Sequence, residues 1–368
     1  GGPFICDCGI CDATVLPQLS TIGLTYTFTP TFLWDSSYGW TRTTSTGTPR
    51  DFGTNFGRDV LGIPGTNGAS IRESGMPAFL ISGYTNLGNA EAWNPYFYND
   101  TSYTSTQNFS MVKGGHEIRF GFEGVRHWLT DQFISMAAYL LGLPQTMGKT
   151  LQWEKMVSFN WQLGWYVRDR WQVTRNLTVN LGLRYELYPM MTRSGFGGIE
   201  QWDQETNLVL RGGRGNNPKD LGIGTGKKMF APRVGLAYRV NDSTVVRSGY
   251  GITYNPMPFA RPLRGFYPLT IAQDFTAPNA FQAFRPIEQG IPEFSGPDVA
   301  LPAVALPGTA QMRTIAGDVE RGYVQSWNFI IEKKLPSNLV TTVGYVGTAT
   351  IRSFADWEAN AASPGAGN

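Results

Sequence analysis

Long apolar runs are what this sequence most plainly lacks. None of its 368 residues lies in a stretch approaching the ~18 consecutive apolar residues that a membrane-spanning helix needs. Histidine is scarce too. With only His116 and His127 present, and no GxSxG elbow, there is little room for a nucleophile–histidine–acid triad. Charged residues are 16% of the chain and the net charge is +2, which gives no bulk electrostatic footprint for nucleic acid. The 3 cysteines, Cys6, Cys8 and Cys11, all fall in "CDCGIC". A zinc site would want a fourth ligand and CxxC pairs, so this reads as a loop with at most one disulfide, and no metal or other cofactor is expected. No basic segment followed by an apolar one opens the chain, so no signal peptide is expected. The closing "ASPGAGN" looks arbitrary, and the chain reads as a piece of a longer protein.

What the sequence does have is 13% aromatic residues and 44 glycines, a combination suited to long strands and turns. The stretch "VSFNWQLGWYVRDRWQV" shows how they are used. Alternate residues from Val157 give Phe159, Trp161, Leu163, Trp165, Val167, Asp169 and Trp171; the others give Ser158, Asn160, Gln162, Gly164, Tyr166, Arg168 and Arg170. One side is apolar and aromatic and the other polar. The strand runs for roughly 17 residues, on the order of 56 Å at ~3.3 Å per residue, where soluble strands usually stop after ~5–6.

After "TRN" (174–176) the pattern resumes in "LTVNLGLRYELY". A three-residue loop pairs Val173 with Leu177, Trp171 with Val179 and Tyr166 with Arg184, so like meets like, as register demands. The same holds around 29–31 (Tyr26 with Trp34), 241–243 (Tyr238 with Val246) and 336–338 (Ile331 with Val343). In "MVKGGHEIRFGFE" the apolar positions change parity across the turn, which requires an even-length loop. Gly114-Gly115 supplies it, pairing Met111 with Ile118 and Phe109 with Phe120. Between these hairpins lie residues 43–101, 131–156, 190–229 and 257–317, long and rich in Gly, Pro, Asn and Thr. Loops of more than ~15 residues are either functional or disordered. Short strands are expected in "PAFLISGY" and "ETNLVL", and one short helix in "FISMAAYLLGL" from Phe133.

Apolar rows on long antiparallel strands can be buried by a second sheet or by lipid. Short turns alternating with long loops, excess strand length and an aromatic-rich apolar band point to an all-β, antiparallel up-and-down transmembrane β-barrel. Phe120, Phe122, Phe159, Trp161, Leu163, Trp165, Leu181, Leu183 and Leu236 are then expected to face lipid. Glu117, Arg119, Glu123, Arg168, Arg170, Arg184, Glu186, Arg233 and Arg247 are expected to face a wet lumen, since burying so many charges in a sandwich would cost several kcal/mol each. Asp169 interrupts the apolar row near a turn, at headgroup level. About 10–12 long strands can be counted, with the barrel portion over residues 20–350 and irregular segments at 1–19 and 351–368.

"LLGLP" (140–144) with "GWYVRDRWQVTRNLTVNLGLRYELY" (164–188) resembles the β-barrel of Oar-like TonB-dependent outer-membrane receptors. So do "GGHEIRFGFEGVR", "FAPRVGLAYRVNDSTVVRSGYGITY" and "YVQSWNFIIEKKLPSNLVTTVGYVG". The resemblance implies a non-enzymatic barrel of about twenty-two strands in the bacterial outer membrane. It also implies uptake of a bulky nutrient ligand, driven by the TonB complex through a segment, and a plug, not seen here. Substrate contacts are expected from loop aromatics Trp202, Phe266, Tyr267 and Phe284. A passive porin or surface adhesin, or a secreted carbohydrate-binding β-protein, are the alternatives. "GIGTGKK" lacks the Gly and the Ser or Thr that a phosphate loop needs and reads as a basic outer loop.

Overall fold

The structure, a computed structural model, describes residues 12–79, 88, 95–133, 138–139, 146–152, 156–193, 198–256, 267–279, 282–308, 310, 312–315, 317–356 and 358. The first hairpin joins β1 (Asp12–Thr29) to β2 (Phe32–Thr48). The two-residue β3 (Ala78–Phe79) lies in the connection to β4 (Tyr96–Lys113), which turns at Gly114 into β5 (His116–Phe133). Then come β6 (Ala138–Tyr139), β7 (Thr146–Gln152) and the hairpin of β8 (Met156–Gln172) with β9 (Leu177–Leu187). Short strands β10 (Thr192–Arg193), β11 (Glu200–Asp203) and β12 (Leu208–Arg211) precede the hairpin of β13 (Met229–Asn241) and β14 (Thr244–Tyr254). The last are β15 (Thr270–Thr276), β16 (Ala303–Ala305), β17 (Tyr323–Lys334) and β18 (Val340–Ile351). Among the described residues, helix is confined to single turns such as Ile71–Glu73 and Pro336–Asn338.

The long strands form one antiparallel meander in the order β1-β2-β4-β5-β8-β9-β13-β14-β17-β18, with β10 resuming the pairing to β8 beyond β9. Every hairpin register read from the turns is present: Tyr26 pairs Trp34, Met111 pairs Ile118, Trp171 pairs Val179, Tyr238 pairs Val246 and Ile331 pairs Val343. Gly114 takes φ +58°, the left-handed conformation a two-residue turn demands. The sheet is open: β1 and β18 each have a single neighbour. In hydrocarbon an unpaired edge costs several kcal/mol per backbone group, so a closed wall needs partners for both free edges.

Side-chain exposure is inverted relative to a water-soluble sheet. On β8 the polar Ser158 and Asn160 are 4% and 5% exposed, whereas Trp161 and Trp165, on the other face, are 44% and 40% exposed. The aromatics of this face run in rows across the strands. Phe122, Trp165, Tyr185 and Phe230 succeed one another on β5, β8, β9 and β13 with ring centroids 5.3, 5.9 and 4.9 Å apart. Cross-strand aromatic pairs of this kind contribute about 0.5–1 kcal/mol each.

Three expectations are corrected. Strand β1 begins at Asp12, inside the segment expected to be irregular at 1–19, and residues 1–11 lie outside the described residues. "DATVLPQL" has neither clean alternation nor freedom from proline, but its neighbour β2 holds it in register, with Pro17 opposite Thr43, and an edge strand tolerates proline. The loop placed at 43–101 is also narrower, since β2 runs to Thr48 and β4 starts at Tyr96. The end of β2 is Thr-rich on both faces and the start of β4, "YFY", is aromatic on both, so no alternation marks them and the hydrogen-bond ladder carries them on. The helix expected from Phe133 is a strand where it is described, at Ala138–Tyr139, and otherwise lies outside the described residues.

The long connections build two small sheets of their own. One has the order β15-β7-β6-β3 and the other β11-β12-β16. The expected strands in "PAFLISGY" and "ETNLVL" are β3 and β12; the rest of the former lies outside the described residues. The connection after β14 ties the two together, giving β15 to the first and β16 to the second. Their apolar side chains meet in separate clusters: Ile63, Phe79, Met147 and Ile291; Met191, Ile199 and Val319; and Val209, Tyr267, Ile271 and Val304. These connections all leave the sheet at the end opposite the short turns, so they form a common cap.

Candidate functional site

The chemistry sits on the polar face of the sheet. Glu123 of β5 and Glu186 of β9 both lie opposite Gly164 of β8. A Cβ on Gly164 would come within 2.5 Å of Arg184 Nη2. Glycine thus leaves a slot for the guanidinium, which donates from Nε to Glu186 at 2.8 Å and from Nη2 to Glu123 at 2.9 Å. One arginine therefore clamps three strands. Two rungs nearer the turns, Tyr166 donates to Asn108 at 2.6 Å, reaching over Gly121, whose missing Cβ would lie 2.9 Å from the Tyr166 ring. Glu117 receives Arg119 at 2.8 Å and Arg170 at 3.6 Å, and Arg247 meets Glu332 at 3.3 Å. Arg168 and Arg233 flank Gly182 and are exposed, with no ion pair among the described residues.

All nine charges expected on the wet side therefore occupy one face, and the nine residues expected on the oily side occupy the other. Within the apolar row, Asp169 is not isolated: His116 Nδ1 lies 2.7 Å from its Oδ2, and the imidazole stacks on Trp171 at 5.2 Å. His127 is on the opposite face, beside Ser102 at 2.8 Å, so the two histidines are not brought together. Among the described residues no group of three or more His, Cys, Asp or Glu could hold a metal ion, and Cys6, Cys8 and Cys11 lie outside those residues.

In the cap, Tyr267 is 5% exposed; its hydroxyl donates to the Ala305 carbonyl at 2.8 Å, and burial pushes the phenol pKa up. Trp202 packs on the same cluster and donates to Asn207 at 3.0 Å. Phe284 belongs to a different cluster, 5.6 Å from Phe275. Phe266 lies outside the described residues. An open groove of about 420 Å³ runs beside Tyr267, lined also by Ile271, Gln273, Phe294 and Pro307.

Sequence reasoning missed two arginine contacts that anchor the cap, one an ion pair and one to a ring and a carbonyl. Arg193 and Glu200 form an ion pair at 2.8 Å with both side chains 5% exposed. Removing one partner of such a pair typically costs about 3–5 kcal/mol, because the other stays charged and buried. Arg193→Met is therefore expected to open the 188–228 connection to protease while the sheet keeps its hydrogen-exchange protection; equal protease resistance would refute this. Arg321 lies over the Tyr188 ring at 5.8 Å and donates to the Tyr188 carbonyl at 3.2 Å. Burial lowers the Arg321 pKa; burial and then Glu186 raise that of Tyr188. The Arg321–Tyr188 contact could not be found from spacing, since its residues lie 133 positions apart and meet only through the cap.

A family model described as an outer membrane beta barrel domain matches residues 12–368. The chain belongs to that family. No curated protein matches it. Among solved structures it is similar to the unliganded ferric citrate transporter FecA, at 8% identity and TM-score 0.47, covering 95% of this chain and 36% of that one. It is similar to the closed form of the ferric-catecholate import receptor Fiu from E. coli K12, at 12% identity and TM-score 0.46, covering 92% and 41%. The outer membrane transporter YddB from Escherichia coli gives 12% identity and TM-score 0.46, covering 89% and 34%. The chain thus spans well under half the length of these structures, and the family assignment does not draw on them.

As an outer-membrane barrel domain of the bacterial outer membrane, the sheet has an apolar belt of suitable height. On the apolar row of β5, Ile118, Phe120, Phe122 and Gly124 lie between His116 and Arg126. That interval is about 33 Å along the strand at ~3.3 Å per residue, or about 25 Å of height at a tilt of ~40°. Nearby strands carry polar or charged groups close to its borders too: Asp169 near the lower one on β8, and Arg42 just above the upper one on β2, two strands away.

Proposed function

We propose that this chain is part of the wall and outer cap of an Oar-like TonB-dependent transporter, taking up a bulky nutrient across the outer membrane. The single observation that carries the reading is the cap: the long connections between hairpins are co-folded into two sheets over one end of the polar wall. A passive wall has no need of connections built as a joint structure, whereas a receptor must present a shaped outer surface to its ligand. The resemblance of 164–188 and its companion hairpins to the Oar-like barrels adds the family-level function. In this reading the apolar row meets lipid, the polar row lines the lumen, and the plug and TonB-contacting segment belong to parts of the protein other than this wall. Ligand is met first in the groove beside Tyr267, with Trp202 and Phe284 shaping the cap around it. The class of ligand is a nutrient too large to diffuse through an open pore; the protein is a carrier, with no chemical step.

A passive pore is the second reading, favoured by Arg168 and Arg233, which are exposed, make no ion pair among the described residues and suit a water-filled channel. Growth on a limiting nutrient, compared in cells with and without TonB and with and without this gene, separates the two. Loss of uptake in both deletions supports the transporter. Uptake independent of TonB, together with ion conductance of the purified protein in planar bilayers, would replace it with the pore.

A further inference from the structure

The upper border of the apolar belt carries a cation that makes no ion pair among the described residues. Arg126 belongs to the apolar row of β5, directly opposite Tyr103 on one side and Trp161 on the other. Its guanidinium lies 5.2 Å from the ring of Phe159 and 5.2 Å from the ring of Trp161. Among the described residues it makes no ion pair, and its Nε is buried without a hydrogen-bond acceptor. One same-face rung further up and two strands away, Arg42 is exposed, steadied by a hydrogen bond to Asn99 at 3.3 Å. The two guanidinium-bearing strands are separated only by β4, placing the charges on the order of 10–12 Å apart. No Asp or Glu is on this face of β2, β4, β5 or β8 between Arg42, Arg126 and the Asp169 level.

A guanidinium seated over two aromatic rings without a carboxylate partner can still offer its Nη groups, and that planar fork matches a phosphate. Aromatic side chains at the same height, Tyr103 at 47% and Trp161 at 44% exposed, are suited to the boundary between acyl chains and headgroups. The long connections mark this end of the barrel as the outward one. We propose that Arg126 and Arg42 form a binding site on the outer wall for the phosphate of an anionic glycolipid in the outer leaflet. Its acyl chains lie along the apolar row below, and Phe159 and Trp161 hold the guanidinium in place.

This inference rests on the apolar row meeting lipid, so the experiment measures both. The full-length protein purified from outer membranes is placed in phosphatidylcholine vesicles containing either bisphosphorylated lipid A or its dephosphorylated form. Retained lipid is counted by native mass spectrometry. Brominated acyl chains report lipid contact through quenching of tryptophan fluorescence. The expected result is quenching in both vesicles, with about tenfold preference for the phosphorylated lipid, as charge-assisted hydrogen bonds predict. Arg126→Gln and Arg42→Gln should each reduce that preference severalfold with quenching intact, and Arg126→Lys should fall between Gln and the parent because it keeps charge but loses the stacked plane. Should a variant fail to fold, the two-lipid comparison on the parent protein decides alone. No preference for phosphate with quenching retained overturns the site and leaves the barrel orientation standing. No quenching overturns both. Displacement of the lipid by millimolar inorganic phosphate would show a simple anion site and overturn the lipid assignment.

Discussion

Leu183→Arg is expected to destabilise the folded barrel in lipid by about 2–4 kcal/mol, the cost of a cation near the bilayer midplane on the lipid face. Leu183 is 43% exposed, and an exposed leucine on a water-soluble sheet can become arginine within about ±0.5 kcal/mol. The sign of the assumption about solvent is therefore written into one number. Leu183 lies on the same rung as Phe120 and Val167, about midway between the polar borders at His116 and Arg126. The control is Asn328→Arg on the polar row of β17, opposite Gly249, which leaves room for a larger side chain and faces the wet side. It should be nearly neutral. Urea unfolding from lipid vesicles, followed by gel mobility, measures both. A Leu183→Arg cost no larger than that of Asn328→Arg would end the membrane reading of this face.

Arg184→Met is expected to cost about 3 kcal/mol, at the low end for breaking a buried ion pair because the guanidinium keeps some contact with water. Its two carboxylate partners would then face each other across Gly164, and Glu186, 6% exposed, would remain charged with nothing to offset it. Adding Glu186→Gln removes that charge, so the double variant should recover about 1–2 kcal/mol, a coupling typical of residues in one network. The same unfolding experiment reads it. If the double variant is as unstable as the sum of the two single ones, the three-strand clamp is not an energetic unit.

Much of this arrangement could be read from spacing. The parity of apolar residues across each short turn set the hairpin registers, because a slip of one residue would turn every aromatic of β8 and β9 to the wrong face. That is why Tyr166 opposite Arg184 and Phe109 opposite Phe120 were legible before any coordinates. The start of β1 was not legible, because Val15 and Leu16 are adjacent and Pro17 interrupts them; the strand exists through its pairing to Thr43 and its neighbours in β2. The loop aromatics were visible as residues but not as clusters. Tyr267 and Trp202 are drawn to Val209 and Val304 by a sheet assembled from separate connections.

By itself the sequence determined the two faces of the wall, the hairpins and the side from which long connections emerge, since each depends on local alternation and turn length. Tertiary structure alone decided how one hairpin registers against the next across those connections. That second set of registers places Arg184 between Glu123 and Glu186, His116 beside Asp169, and Arg126 between Phe159 and Trp161. A short turn fixes the alignment of the strands it joins. A long connection permits many alignments of nearly equal chain entropy, so side-chain pairing across the whole sheet must choose among them.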